Sequence, residues 1–224
     1  MKTYFGMVVL LSTFLLAPTT WATEISPDTS PDILVNHTAQ EILAIIKQNK
    51  DIQSGKNKAK ILDLVETKIL PHFNFMRMTR LAMGKNWSKA APHQQREIVD
   101  QFRTLLVRTY YKALSVYSDH TIKVTPLKDI GGRTDVTVKT QVIRSHGQPV
   151  PIDYSMGKTS NGWKVYDVTV AGVSLIINYR SSFNSQIRRG GVEGLLKTLA
   201  EKNRTLDAKD KEKSAALVKQ FKTA

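Results

Sequence analysis

The chain has 224 residues, 41% of them hydrophobic, which suits one domain or one domain with a tail and excludes disorder throughout. It contains no Cys, which excludes disulfides, thiolate metal sites and Cys nucleophiles. Its net charge of +14 favours anionic partners: lipid head groups, acidic proteins or nucleic acid.

Residues 1–22 read as a secretory signal peptide. Lys2 supplies the positive start, Phe5 to Ala17 is almost wholly apolar, and Pro18 breaks the run. Thr20-Trp21-Ala22 then offers small residues for cleavage, so the mature chain is expected to begin at Thr23. The apolar run is shorter than the ~20 residues of a membrane span, and no later segment reaches that length. Export argues against nucleic acid as the partner.

Thr23 to Asp32, with Pro27 and Pro31, reads as a flexible lead-in. From Ile33 to Gln48, Leu34, Ile42, Leu43, Ile45 and Ile46 follow a helical pattern. A charged connection from Lys50 to Lys60 leads to a second short helix through Ile61, Leu64, Val65 and Ile69, ended by Leu70-Pro71. Phe73 to Met83 is a third helix, closed by Gly84. The strongest periodicity starts at Pro92 and runs through Ile98, Phe102, Leu105, Leu106, Tyr110, Leu114 and Tyr117. It predicts a helix of about 25 residues, ~38 Å long.

The period then falls to two. Ile122 and Val124 alternate with polar residues; Val136, Val138 and Val142 oppose Asp135, Thr137, Lys139 and Gln141; Val150, Ile152, Tyr154 and Met156 alternate again; Trp163 to Val170 follows. Gly131-Gly132, His146-Gly147 and Ser160-Asn161-Gly162 supply turns. Sequential strands with short turns predict an antiparallel sheet of four to five strands, apolar on one face. The fourth strand is partly apolar on both faces, which means cover on both sides or a bulge. Helix returns from Val173 to Arg189, with Ser174 as cap and Gly190 as terminator, and again from Val192 to Lys202. The fold class is therefore α+β, with several helices packed on an antiparallel sheet. The domain covers residues 23–202, and 203–224 reads as a basic flexible tail.

Catalytic patterns are missing. His37, His72, His93, His120 and His146 are scattered without metal-ligand spacing. Glycine-rich phosphate loops, a nucleophile elbow and paired carboxylates in an apolar setting do not occur, and Ser174 reads as a helix cap. No enzyme, metal or cofactor is expected. Apolar and aromatic side chains are abundant on both layers, but periodicity leaves open whether they fill a solid core or enclose a cavity.

Several blocks resemble a known family. Ile69-Leu70-Pro71-His72-Phe73-Asn74-Phe75, Met83-Gly84-Lys85-Asn86-Trp87, and Phe102 to Tyr110 form the first group. Val168-Thr169-Val170-Ala171-Gly172-Val173-Ser174-Leu175-Ile176-Ile177-Asn178-Tyr179-Arg180-Ser181-Ser182-Phe183 and Gly191-Val192-Glu193-Gly194-Leu195-Leu196 form the second. Together, over roughly Ile33 to Lys202, they resemble the MlaC family, formerly called the toluene-tolerance family. Asn74 stands where the family often has Asp, Ala82 precedes Met83-Gly84 where Leu-Gly is more usual, and the long basic tail is no family hallmark.

The resemblance implies a periplasmic, non-catalytic phospholipid carrier that maintains outer-membrane lipid asymmetry. Its partners would be an outer-membrane lipoprotein–porin complex and an inner-membrane ABC transporter with a lipid-binding hexamer. The phospholipid is cargo rather than cofactor, and shuttling suits a monomer. On this reading Phe75, Met78, Phe102, Leu106, Tyr110, Val138, Val142, Ile152, Tyr154, Val168, Ile176 and Phe183 line an apolar pocket, with Lys85 and Arg180 at a head-group rim. The rival readings are a secreted non-catalytic module that binds an acidic protein partner, a secreted hydrolase, and a nucleic-acid binder.

Overall fold

The first apolar stripe folds as α1 (Pro31–Gln48), with Pro31 in the first turn and Leu34, Leu43 and Ile46 buried. The computed structural model describes residues 26–222 except 56, 118–119 and 144–147. The expected signal peptide and the His146-Gly147 turn lie outside the described residues. Asn49 caps α2 (Lys50–Gln53) and Asn57 caps α3 (Lys58–Leu64), each through a side-chain oxygen accepting from backbone amides. The charged connection therefore carries helical turns of its own. After α3 the chain does not stop cleanly at Pro71: a π-helical turn, Val65–Ile69, passes into a 3-10 turn, Leu70–His72.

Asn74 caps α4 (Phe75–Met83), its Oδ1 accepting from Arg77 N at 2.9 Å. Asn is among the residues best suited to this cap, as Asp would be. Gly84 ends α4 at φ +55°, a left-handed conformation that favours glycine. The strongest periodic segment is α5 (Pro92–Tyr110), shorter than its sequence pattern. At Tyr111 the chain tightens into a 3-10 turn, Tyr111–Tyr117.

The strands are β1 (Thr121–Val124), β2 (Asp135–Ile143), β3 (Val150–Thr159), β4 (Gly162–Val170) and β5 (Val173–Ser174). They pair antiparallel in chain order, with Val138 opposite Tyr154 and Tyr154 opposite Val168. The fourth strand does contain a bulge. Ser155 pairs with Asp167 while Met156 pairs with Val165, leaving Tyr166 as the extra residue. This is how apolar residues of both parities, Val165 and Val168, come to share one face. Ala171 and Gly172, at φ +50° and +83°, make a tight turn into β5.

Ser174 then caps α6 (Leu175–Lys222), its Oγ accepting from Ile177 N at 3.0 Å. Gly190 and Gly191 take non-helical angles and divide α6 into two helices, 175–189 and 192–222, so the first ends at Gly190 as expected. The second does not stop at residue 202, beyond which a flexible tail was expected. Helix continues there, with Asn203 and Asp210 buried against other elements.

Three apolar clusters hold these elements. The helical cluster joins α4, α5 and α6 around Ile98, Phe102, Phe183 and Leu195. A second packs Leu34 of α1 on Val136, Val138, Met156, Trp163 and Val165 of the sheet. The third gathers Ile46, Ile52, Ile61, Val65 and Tyr111.

Candidate functional site

Between these clusters lies a cavity of about 340 Å³. One wall is α1, through Leu34, Val35, Thr38, Ala39, Ile42, Leu43 and Ile46. Val65, Ile69, Leu70, His72 and Phe73 form a second, followed by Phe75 and Met78 of α4. The α5 end contributes Leu106, Val107, Tyr110, Tyr111 and Leu114. The sheet supplies Ile122, Val142, Ile152, Tyr154, Met156, Val165, Val168 and Val170, and Leu175 opens α6 beside them. Tyr110 and Val170 are 42% and 38% exposed and mark where the cavity meets solvent. The volume falls in the range of small-molecule sites. With so few polar groups, the walls suit an apolar guest rather than ordered water.

Two features of the chain build this space. Along α5 each step of four residues turns the side chain by about 40°. Ile98 and Phe102 therefore face α6, whereas Leu106 and Tyr110 have rotated to the cavity. In the sheet, alternation puts Val142, Ile152, Tyr154 and Met156 on the inner face, and the Tyr166 bulge lets both Val165 and Val168 reach it.

Of the residues expected to line a pocket, Phe75, Met78, Leu106, Tyr110, Val142, Ile152, Tyr154 and Val168 do line this cavity. Phe102, Ile176 and Phe183 do not; they belong to the helical cluster. Phe102 makes edge-to-face contacts with Tyr179 and Phe183 at ring separations of 4.9 and 5.0 Å, which use up its surface. Val138 is fully buried in the cluster under Leu34, where α1 closes down on the sheet.

The rim residues are also displaced. Lys85 is exposed in the 3-10 turn Gly84–Lys89, which follows α4. Arg180 is exposed on α6, its Nε donating to Leu81 O at 2.9 Å. Neither lines the cavity.

The α1 wall was missed altogether, although its stripe of Leu34, Ile42, Leu43 and Ile46 was visible in the sequence. Tyr111 and Leu114 were missed as lining because the break after Tyr110 re-aims them.

Polar groups are few but informative. Apart from tyrosines, Thr38 and His72 are the polar residues of the lining. Burial first, then the Lys164 ammonium, holds the His72 imidazole below its ordinary value, with Glu41 pulling the other way and His37 adding to the depression. His72 is accordingly a neutral member of the wall near pH 7. The Tyr111 hydroxyl donates to Asp210 Oδ1 at 3.0 Å, outside the cavity. Among the described residues no cluster of His, Asp or Glu could hold a metal ion, and no helix is long and apolar enough to cross a membrane.

The model of the family described as MlaC protein matches residues 36–201. The chain is 24% identical, over 88% of its length and 91% of the relative's, to the intermembrane phospholipid transport system binding protein MlaC of Haemophilus influenzae. It is 29% identical, over 83% of each chain, to the toluene tolerance protein ttg2D of Pseudomonas putida. Among solved structures, the phospholipid-binding protein of Ralstonia solanacearum, in complex with a phospholipid, superposes with a TM-score of 0.74 at 39% identity. That match covers 80% of this chain and 99% of the Ralstonia chain. With its blocks, its five-stranded antiparallel sheet and most of its length matched, the chain belongs to the MlaC family.

Proposed function

We propose that this protein is a phospholipid carrier that takes the acyl chains of its cargo into the cavity between α1, α5 and the sheet. The observation that carries the reading is the cavity itself, about 340 Å³ and walled almost wholly by aliphatic and aromatic side chains. A phospholipid with two sixteen-carbon chains has about 28 CH₂ groups, and leaving them in water would cost on the order of 20 kcal/mol at ~0.8 kcal/mol each. A carrier must therefore sheath the chains in apolar surface, while the head group stays hydrated at the opening by Tyr110 and Val170. The relatives named for phospholipid transport and phospholipid binding support this cargo.

The finer reading places the protein in the periplasm after removal of residues 1–22. There it acts as a monomeric, non-catalytic shuttle between an outer-membrane lipoprotein–porin complex and an inner-membrane ABC transporter with a lipid-binding hexamer. The net charge of +14 supports contact with anionic head groups or acidic partner surfaces.

Native mass spectrometry of the protein purified from a bacterial periplasm, with lipids extracted in parallel, tests the reading. A bound mass equal to one or more phospholipids is expected. A bare chain that also takes up nothing from liposomes overturns it in favour of a module that binds an acidic protein.

A further inference from the structure

The chain from residue 203 onward lies past the stretch matched to the family, which ends at residue 201, yet it is pinned to the cavity wall. Asn203 is buried, its Nδ2 donating to Gln101 O at 2.9 Å and to Gln101 Oε1 at 2.8 Å. Arg108 Nη1 donates to Asn203 O at 2.5 Å, and Arg108 Nη2 lies 3.6 Å from Asp207 Oδ1. Two turns on, Asp210 is 7% exposed and gathers three donors from other elements. Tyr111 Oη is at 3.0 Å and Lys112 Nζ at 2.7 Å from Oδ1, and Lys58 Nζ is 3.0 Å from Oδ2.

Tyr111 makes this more than a surface staple. It lines the cavity, is 5% exposed, and sends its hydroxyl outward to Asp210. Its ring is flanked by the ammonium groups of Lys58 and Lys112, 5.8 and 5.3 Å from its centroid. Lys58 opens α3, which runs into the turn whose Val65 and Ile69 line the same cavity. One carboxylate thus ties together two stretches of wall, immediately beyond Tyr110 at the opening. Outward movement of the segment from Tyr111 to Leu114 would widen the opening beside Tyr110, and a buried carboxylate shared among three donors resists that movement.

We infer that the C-terminal extension is a brace in which Asp210, as a positioning residue, holds Tyr111 in the cavity wall and so limits how fast bound lipid leaves. The inference rests on the carrier reading above. Asp210 itself does not line the cavity.

The test uses the full chain loaded with a fluorescent phosphatidylethanolamine and mixed with unlabelled phosphatidylcholine vesicles. Asp210→Asn keeps the size and removes the charge; Tyr111→Phe keeps the ring and removes the hydroxyl. Asp210→Asn should release lipid about ten-fold faster with the amount loaded unchanged, and Tyr111→Phe should also release it faster. The double variant should be no faster than Asp210→Asn alone, because both act through one contact. Unchanged release overturns the brace. So does faster release from Asp210→Asn that comes with lost loading, which marks general loosening of the fold. If the unaltered protein loads no lipid, the carrier reading fails instead, and the brace is then read by hydrogen exchange. Amides 111–117 should exchange faster in Asp210→Asn, and unchanged protection overturns it.

Discussion

The guanidinium of Arg77 stacks on the ring of Tyr166, its central carbon 3.6 Å from the ring centroid, and its Nη2 donates to Asp135 Oδ1 at 2.5 Å. The bulge that makes Tyr166 the extra residue of β4 thus hands its ring to α4, and Arg77 ties both to the start of β2.

Gly157 is what leaves room for this clamp. A Cβ at that position would collide with the Arg77 guanidinium, the far end of a flexible side chain. Gly157→Ala should therefore displace Arg77 rather than disrupt the sheet, losing about 1 kcal/mol through the stack and the exposed ion pair. Thermal unfolding of Gly157→Ala, Arg77→Ala and the double variant checks this. The double variant should be no less stable than Arg77→Ala alone, and additive losses would place the Gly157 effect elsewhere.

Filling the cavity should separate loading from folding. Ala39 lies on the α1 wall, so Ala39→Trp puts an indole where an acyl chain would lie. Lipid extracted per chain should fall to about none, with the melting temperature unchanged or raised, because the ring gains contacts the wall otherwise lacks. Normal loading would mean that lipid is held elsewhere.

Phe102→Ala provides the opposite case. Its side chain is fully buried in the helical cluster and away from the cavity, so truncation should cost about 3–5 kcal/mol in urea unfolding. Under conditions where the variant stays folded it should still load lipid. Loss of loading at full stability would return Phe102 to the pocket.

Acid should weaken the protein in two separate windows. Burial and Lys164 hold His72 below its ordinary 6.5, so the unfolded chain takes up that proton more readily. This contribution is complete above pH 6.5 and is lost as pH falls through the lower folded value. His72→Phe should flatten the fall in urea midpoint between about pH 7 and about pH 5. An unchanged fall would assign it to other groups.

Asp210 governs the second window. Burial alone would raise its pKa, but hydrogen bonds from Lys112, Lys58 and Tyr111 outweigh burial and bring it down to about 2. Its contribution is complete above 3.8 and is lost as pH falls through about 2. Asp210→Asn should lower stability at neutral pH by about 2 kcal/mol, and the gap to the unaltered protein should close in strong acid. A gap that persists there would point to packing rather than charge.

The layering, the strands and the caps at Asn74 and Ser174 follow from local rules, and the sequence displays them directly. What periodicity withholds is the identity of the neighbour. Phe102 and Leu106 sit one step apart on the same apolar stripe, yet one meets Phe183 and the other faces the cavity, because a 40° turn per step is invisible in a hydrophobic pattern. Val138 looked like Val142 for the same reason; only the landing point of α1 tells them apart. The region after residue 202 read as a loose tail because Lys and Ala dominate it. The residues that dock it, Asn203 and Asp210, find partners at Gln101, Arg108, Tyr111 and Lys58, about a hundred residues or more away in the chain. Tyr110 could be assigned to the pocket from helical spacing, whereas Tyr111 could not, since its place depends on the switch to 3-10 geometry.

The interlocked rings of Phe102, Tyr179 and Phe183 have a consequence for the proposed carrier. They pack on one another, and none of the three lines the cavity. Emptying the cavity would strip contacts from α1, from the turns around His72, from the inner sheet face and from Met78 and Leu106, while the three rings keep one another. On the carrier reading, an emptied chain would keep this cluster and be ready for refilling without first having to refold.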